Sequence, residues 1–364
     1  MTARTSRRAL VLLGGAFFLP APPARAQAWL APKGEATLSL GYQYYLTKDH
    51  LTTAGDPYDW GQTRQSTVLA NLTYAISDRF TVSFGLAPLF LSQYDGQQAH
   101  FYPVLDANGR LVRDENGAPL FLPPTIDDGG THVSFADFRP ELRFMALTEP
   151  LALTPFVGVV FPSHGYEALG HSTVGRNLWE LRTGVNLGRR LDPVLPDAYA
   201  QGRYAFSFRE RVQGFRFNYS FVDLELGYFV TPSVTVRLVG AWQIAHDGFR
   251  DEDYPEAYLF AADWTEALLG LDGEQVRGLP GVVAGIHHDQ LDLQTTFNAG
   301  IGVSFAATPS LDLGLAAFRT ISGRGGHATN LALSVGATWS FSPARLFRKN
   351  GKTQEPARLR PGLP

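Results

Sequence analysis

The chain is 364 residues long, 45% hydrophobic and 18% charged, with 37 Gly and a formal net charge of −3. So even a balance sets up no field for nucleic acid or an anionic partner. With no cysteine in the chain, disulfides, thiolate metal sites and a cysteine nucleophile are excluded.

The first element is a leader. Arg4, Arg7 and Arg8 precede the apolar run ALVLLGGAFFL, and Ala24-Arg25-Ala26 supplies a small-x-small cleavage site. That order predicts a secretory signal peptide over residues 1–26, with Gln27 as the mature start. As a membrane anchor the run falls short of the roughly 20 residues needed to span, and Pro20, Pro22 and Pro23 break it. No later stretch approaches that length. The longest, LALTPFVGVVFP, is interrupted by Thr154, Pro155 and Gly158.

From residue 35 onward the chain alternates between apolar and small or polar residues, the period of a β-strand with two unlike faces. Segment 35–46 sets Leu38, Leu40, Tyr42 and Tyr44 against Thr37, Ser39, Gly41 and Gln43. The same pattern predicts strands over 66–76, 80–90, 135–147, 151–161, 177–188, 198–210, 220–230, 234–245, 290–305, 311–318 and 330–342. Connections of SDR, TEP, TPS and AATPS are tight turns. Those at 47–65, 95–131, 162–176 and 246–289 are long loops, and 211–218 and 319–329 are shorter ones. Residues 105–119 contain two Asn-Gly turns, which predict a protruding hairpin; three acids there lack the spacing of a calcium loop.

Charges gather on the polar face of these strands. Asp137, Arg139, Glu141 and Arg143 alternate with Phe138, Pro140, Leu142 and Phe144. Glu180, Arg182, Arg203, Arg209, Asp223, Glu225, Arg237 and Asp292 each oppose apolar neighbours in the same way. A β-sandwich would place such a face in water. Three features favour a barrel in lipid instead: strands of roughly ten residues, as a tilted span requires; a polar face rich in Gly, Ser and Thr; and aromatics recurring at strand ends. Because lipid satisfies no backbone group, the strands must close. The expectation is an all-β, transmembrane, antiparallel up-and-down barrel of about twelve strands over residues 27–342. Short turns would face the periplasm, long loops the outside, and 343–364 would be a basic, disordered periplasmic tail.

Six acids and six arginines on the inner face argue against strong ion selectivity and suit paired ladders lining the lumen. In loop 246–289, Tyr258 and Trp264 lie on a predicted short amphipathic helix that either constricts the mouth or caps the rim. His171 and Ser172 are adjacent, which in a strand would set them on opposite faces and so opposes a lipid-hydrolase site. His287-His288-Asp289 is half a metal site with no evident partner cluster, so neither metal nor cofactor is expected. The partners expected are outer-membrane lipid, a small solute, and the barrel-assembly machinery during insertion.

The stretch SFADFRPELRFMALTEPLALTPFVGVVFPSHGYEALGHSTVGRNLWELRTGVNLGRRL (134–191) resembles outer-membrane barrels of the MetA-pathway-of-phenol-degradation family. FAD and FPSHGY stand where that family carries a Gly-Asp strand and a Pro-Thr-Gly-like loop. The resemblance implies an outer-membrane protein passing small aromatic or hydrophobic compounds. Phe341 would be the terminal-strand aromatic read during insertion, although a tail follows it here.

Overall fold

In the computed structural model the described residues are 28–95, 102–103, 121–122, 126–168, 170–212, 214–248, 288–291 and 293–346. The leader, most of loop 246–289 and most of the tail therefore lie outside them.

The strands are β1 (Ala36–Leu51), β2 (Pro57–Ala75), β3 (Phe80–Tyr94), a short ribbon of β4 (Tyr102–Pro103) and β5 (Phe121–Leu122), then β6 (Thr131–Ser134), β7 (Arg139–Phe144), β8 (Ala152–Val160) and β9 (Glu180–Arg190). They continue with β10 (Ala198–Arg209), β11 (Tyr219–Thr231), β12 (Val234–Ala245), β13 (Thr295–Thr308), β14 (Leu311–Arg324) and β15 (Gly326–Phe341). Pieces β6 and β7 both pair with β3 and together make one broken stave. Each stave pairs antiparallel with its sequence neighbours, and β15 returns to β1 from Ala36↔Phe341 to His50↔His327. The result is a closed twelve-stave up-and-down barrel. Closure leaves no strand edge to satisfy.

Local chemistry explains the short turns. The tripeptide Thr-Pro-Ser occurs at 231–233 and again at 308–310. In both, the Thr Oγ1 accepts a hydrogen bond from the Ser amide, at 3.3 Å each time, the side-chain turn these residues favour. Ser77 does the same work between β2 and β3, accepting from the amides of Arg79 and Phe80. At the opposite end Gly325, at φ +57°, is the single residue joining β14 to β15, a left-handed position that glycine takes at no steric cost.

The predicted strands all exist, but several run past their predicted ends. Residues 47–65 and 319–329, expected as loops, are mostly strand: β2 has 19 residues and β1 and β15 have 16 each. These lengths exceed the roughly 9–11 residues of a membrane stave, so this side of the barrel projects beyond any bilayer at the long-loop end. Alternation fades there because the projecting strand no longer needs an apolar outer face. Two further differences are local. Residues 288–291 form a helical turn, with β13 starting only at Thr295, and 135–138 break the fourth stave where Ala136 turns inward to bond Ala87.

The apolar face points out. Leu331, Leu333, Val335 and Trp339 of β15 are exposed, while Ala332, Ser334 and Thr338 between them are buried. Every stave contributes at least one large exposed apolar residue, among them Leu40, Leu72, Val82, Leu142, Val157 and Leu181 on one side. Tyr204, Leu224, Leu238, Ile301, Leu315 and Leu333 continue the belt round the other. A water-soluble monomer does not expose a continuous apolar belt of this kind. The fold is thus inverted: polar within, apolar without.

Candidate functional site

The interior is the candidate site. Most of its charged residues lie on β7–β12, where three clusters form. In the first, Glu141 accepts from Arg143 Nε at 2.6 Å and from Arg203 Nη2 at 2.5 Å. Arg203 belongs to β10 and Glu141 to β7, so this guanidinium crosses two intervening staves. It passes over the Phe156 ring at 3.7 Å and also donates to Asn186 at 3.1 Å. A planar five-donor fork suits such a bridging position, where lysine would make one contact.

In the second cluster Glu180 receives Arg182 at 2.7 Å, Arg209 at 3.1 Å and Ser207 Oγ at 2.8 Å. Arg209 lies 4.2 Å from the Tyr219 ring centre. In the third, Glu225 accepts from Tyr199 Oη at 2.6 Å, Gln201 at 2.9 Å and Arg237 at 3.3 Å. Asp137, at the break in the fourth stave, accepts from Tyr166 Oη at 2.6 Å. Asp223 stands opposite Arg203 in the β10–β11 register. At the rim, in the loop before β6, Asp128 accepts from His132, which holds that carboxyl below its usual range.

The facing half of the interior is lined differently. Ser39, Gly41 and Gln43 on β1, Thr67 on β2, Thr81 and Ser83 on β3, Thr296 and Asn298 on β13, and Ser334 and Thr338 on β15 are small or neutral. Ser39 and Thr338 are hydrogen-bonded at 3.1 Å across the closing seam.

Two segments enter the lumen. The connection from β8 to β9 folds inward, burying Ala168, His171, Ser172, Thr173 and Val174. Asp127 holds it, accepting from the amides of His171 and Ser172 at 3.0 Å and from His171 Nδ1 at 3.1 Å. Gly170 sits against that carboxylate at φ +111°, and an added Cβ would lie 3.0 Å from Asp127 Oδ2. At the short-turn end Ala28 is fully buried and its carbonyl accepts from Thr154 Oγ1, with the Trp29 ring against Gly188.

Eleven of the twelve charged residues singled out from the sequence are described and stand on the inner face: ten as given above, and Arg139 opposite Gly85 in the β3–β7 register; Asp292 lies outside the described residues, as do Tyr258 and Trp264. Most of loop 246–289 lies outside the described residues; the connection from β8 to β9 is an inward segment that the sequence did not single out. Its sequence signal is slight, a Gly-rich polar run with buried polar ends. No hydrogen bond joins Ser172 to His171 among the described residues; both amides instead bind Asp127. Sequence reasoning also missed that His50, His171 and His327 converge, all three buried. It found no cluster because each histidine falls in a different predicted loop.

No protein-family model matches the chain, and no curated protein is significantly similar to it. Among solved structures it is similar to the COG4313 outer membrane channel from Pseudomonas putida F1, with a TM-score of 0.54 at 13% identity, over 88% of this chain and 100% of that one. It is also similar to the β-domain of the Bordetella autotransporter BrkA (TM-score 0.44, 9% identity, 85% of this chain and 100% of that one). A third is the NanC porin (TM-score 0.39, 8% identity, 84% and 98%). The first of these similarities establishes the fold, that of outer-membrane barrels.

Proposed function

We propose that this chain is an outer-membrane channel for small solutes, inserted by the barrel-assembly machinery and held in lipid by its outer belt. The observation that carries the reading is the inversion of the barrel: an apolar residue exposed on every stave around an interior of polar, near-balanced charge. No helix among the described residues is long and apolar enough to cross a membrane, so strands would do the crossing. Twelve staves fall between the filled eight-stranded barrels and the open sixteen-stranded porins, which fits a narrow passage. The resemblance of residues 134–191 to the MetA-pathway family supports small aromatic or hydrophobic compounds as the solutes. The inward arginines and carboxylates would line their path, with Arg203 over Phe156 offering a cation–π surface to a flat ring.

A second reading is a closed barrel whose outer loops bind a partner. It is favoured by the two segments inside the lumen, 162–178 and Ala28–Trp29.

The deciding experiment is single-channel recording of the refolded mature protein in a planar bilayer. Stable unitary steps, with weak ion selectivity and block by an added small aromatic, are the expected result. A folded, heat-modifiable barrel that stays silent would overturn the channel reading and leave the second.

A further inference from the structure

The long-loop mouth holds three histidines that the channel reading does not use. His50 is the next-to-last residue of β1 and His327 the second of β15, and the two are direct cross-strand partners where the barrel closes. Their rings stand 4.1 Å apart. Strict alternation from Gln43 and Tyr45 would turn His50 outward, because inner positions on β1 are odd-numbered. The register slips once at Lys48 and once at Asn330, and each extra residue reverses the alternation of its own strand, which is what a β-bulge does to side-chain aim. Asn330 secures the irregularity: its Oδ1 accepts from the amides of Lys48 and Asp49, and its Nδ2 donates to Asp49. Both imidazoles are thereby turned into the mouth.

The third histidine arrives from the inward loop. His171 stacks on Tyr94 at 4.1 Å and 7°, and its ring centre is 5.7 Å from His50 and 5.9 Å from His327. One donor nitrogen from each ring lies within 4.8 Å of the other two. Asp127, wholly buried, binds His171 Nδ1, so Nε2 is the nitrogen turned to an ion. A carboxylate behind a ligating imidazole is the usual support that fixes its tautomer and orientation.

We propose that His50, His171 and His327 bind a divalent transition-metal cation of the Zn2+ type. The bound ion would clasp the inward loop to the closing seam of the barrel. The donor set fits: neutral imidazoles suit Zn2+, Cu2+ and Ni2+ and are poor ligands for Mg2+ or Ca2+. Tetrahedral Zn2+ with Zn–N bonds of 2.0–2.1 Å asks for about 3.4 Å between ligand nitrogens, so small side-chain rotations would complete the site. Three protein ligands leave a fourth position for water. The site stands independently of whether the barrel conducts.

The test uses the untagged mature protein, refolded in detergent and stripped with chelator, titrated calorimetrically with Zn2+ while bound metal is quantified. One ion per chain is expected. Replacing all three residues (His50→Ala, His171→Ala, His327→Ala) should abolish uptake, and Asp127→Asn should weaken it by about 10- to 100-fold. His132, His164 and His246 are engaged by Asp128, Ser163 and Ser220; replacing these with Ala should leave uptake unchanged. Zn2+ should also slow amide exchange over 170–178 in the wild-type chain. Wild-type protein that takes up no stoichiometric Zn2+, or uptake that survives the first triple variant and vanishes in the second, overturns the proposal.

Discussion

The two halves of the barrel wall are built on different principles. Strands β7–β12 are short, none longer than 13 residues, and carry the arginine and carboxylate clusters inside. The half made of β13–β15 and β1–β3 is taller, 14 to 19 residues per strand, and is lined mainly by Gly, Ser, Thr and amides. Charge on one side facing a wall of mainly small neutral groups, with Tyr45, Leu69, Phe90 and Phe318 also turned in, makes an asymmetric lumen. On the channel reading proposed above, a solute would pass along this less charged, smoother wall with its polar edge turned to the guanidinium groups. The tall half also carries the bulged seam and two of the three histidines. The charged clusters and the histidine seam thus stand on different parts of one ring.

Breaking the charged half should have the largest effect. Glu180→Ala would leave Arg182 and Arg209 facing each other without their shared carboxylate, and removal of one partner from a buried ion cluster costs about 3–5 kcal/mol. Urea unfolding in lipid vesicles, followed by tryptophan fluorescence, should show that loss. Ser334→Ala on the smooth half should stay within about 0.5 kcal/mol. Equal losses at the two positions would contradict the division.

The outer face offers the next contrast. Leu315, exposed on β14 in the middle of the apolar belt, should tolerate no charge: Leu315→Arg is expected to destabilise the folded barrel by about 2–4 kcal/mol in the bilayer. Its inward neighbour Ala316 can become Ser with little change. If Leu315→Arg is neutral in vesicles, the belt does not sit in lipid.

A subtler change separates positioning from bulk. Arg203→Ala removes the bridge to Glu141 and the contact with Phe156. The same channel recordings should then show cation preference rising, since an inward positive charge is lost while the carboxylates remain. Gly336→Tyr on the smooth wall should lower unitary conductance without altering the ion preference.

Much of this was legible beforehand, and the reasons are physical. Alternation in NLALSVGATWSF (330–341) survives because each outer residue must be apolar and each inner one small, so the faces of β15 could be read residue by residue. The inner charges on β7–β12 were readable by the same logic. Which carboxylate each arginine would meet was not, since Arg203 reaches past its own neighbours to Glu141. Bulges escape periodicity altogether: one inserted residue at Lys48 resembles the onset of a loop, and the prediction duly ended the strand there. His50, His171 and His327 are 121 and 156 residues apart in sequence. Only barrel closure and an inward loop bring them together.

The smallest expected effect lies on β9 and its following turn, where the same geometry occurs twice. Glu180–Arg182 and Arg190–Asp192 are both two residues apart, and both are closed at 2.7 Å. The first is enclosed by Arg209 and Ser207; the second is an exposed pair at the short-turn end. Water screens the second and side-chain entropy opposes it, so its shared distance says nothing about shared strength. The hydrogen bond from Arg190 does hold the Asp192 carboxyl below its ordinary range. A depressed carboxyl favours the folded state above its unfolded pKa, about 3.9, and that contribution fades as the pH falls through the folded value. Asp192→Asn should therefore lower the unfolding midpoint only slightly at neutral pH, where the contribution is fully present, because the pair is exposed. That small difference should close as the pH falls below about 4, which unfolding titrations of the two proteins side by side would check. A neutral-pH loss at Asp192 comparable to that of Glu180→Ala would mean that burial does not set the strength of these pairs.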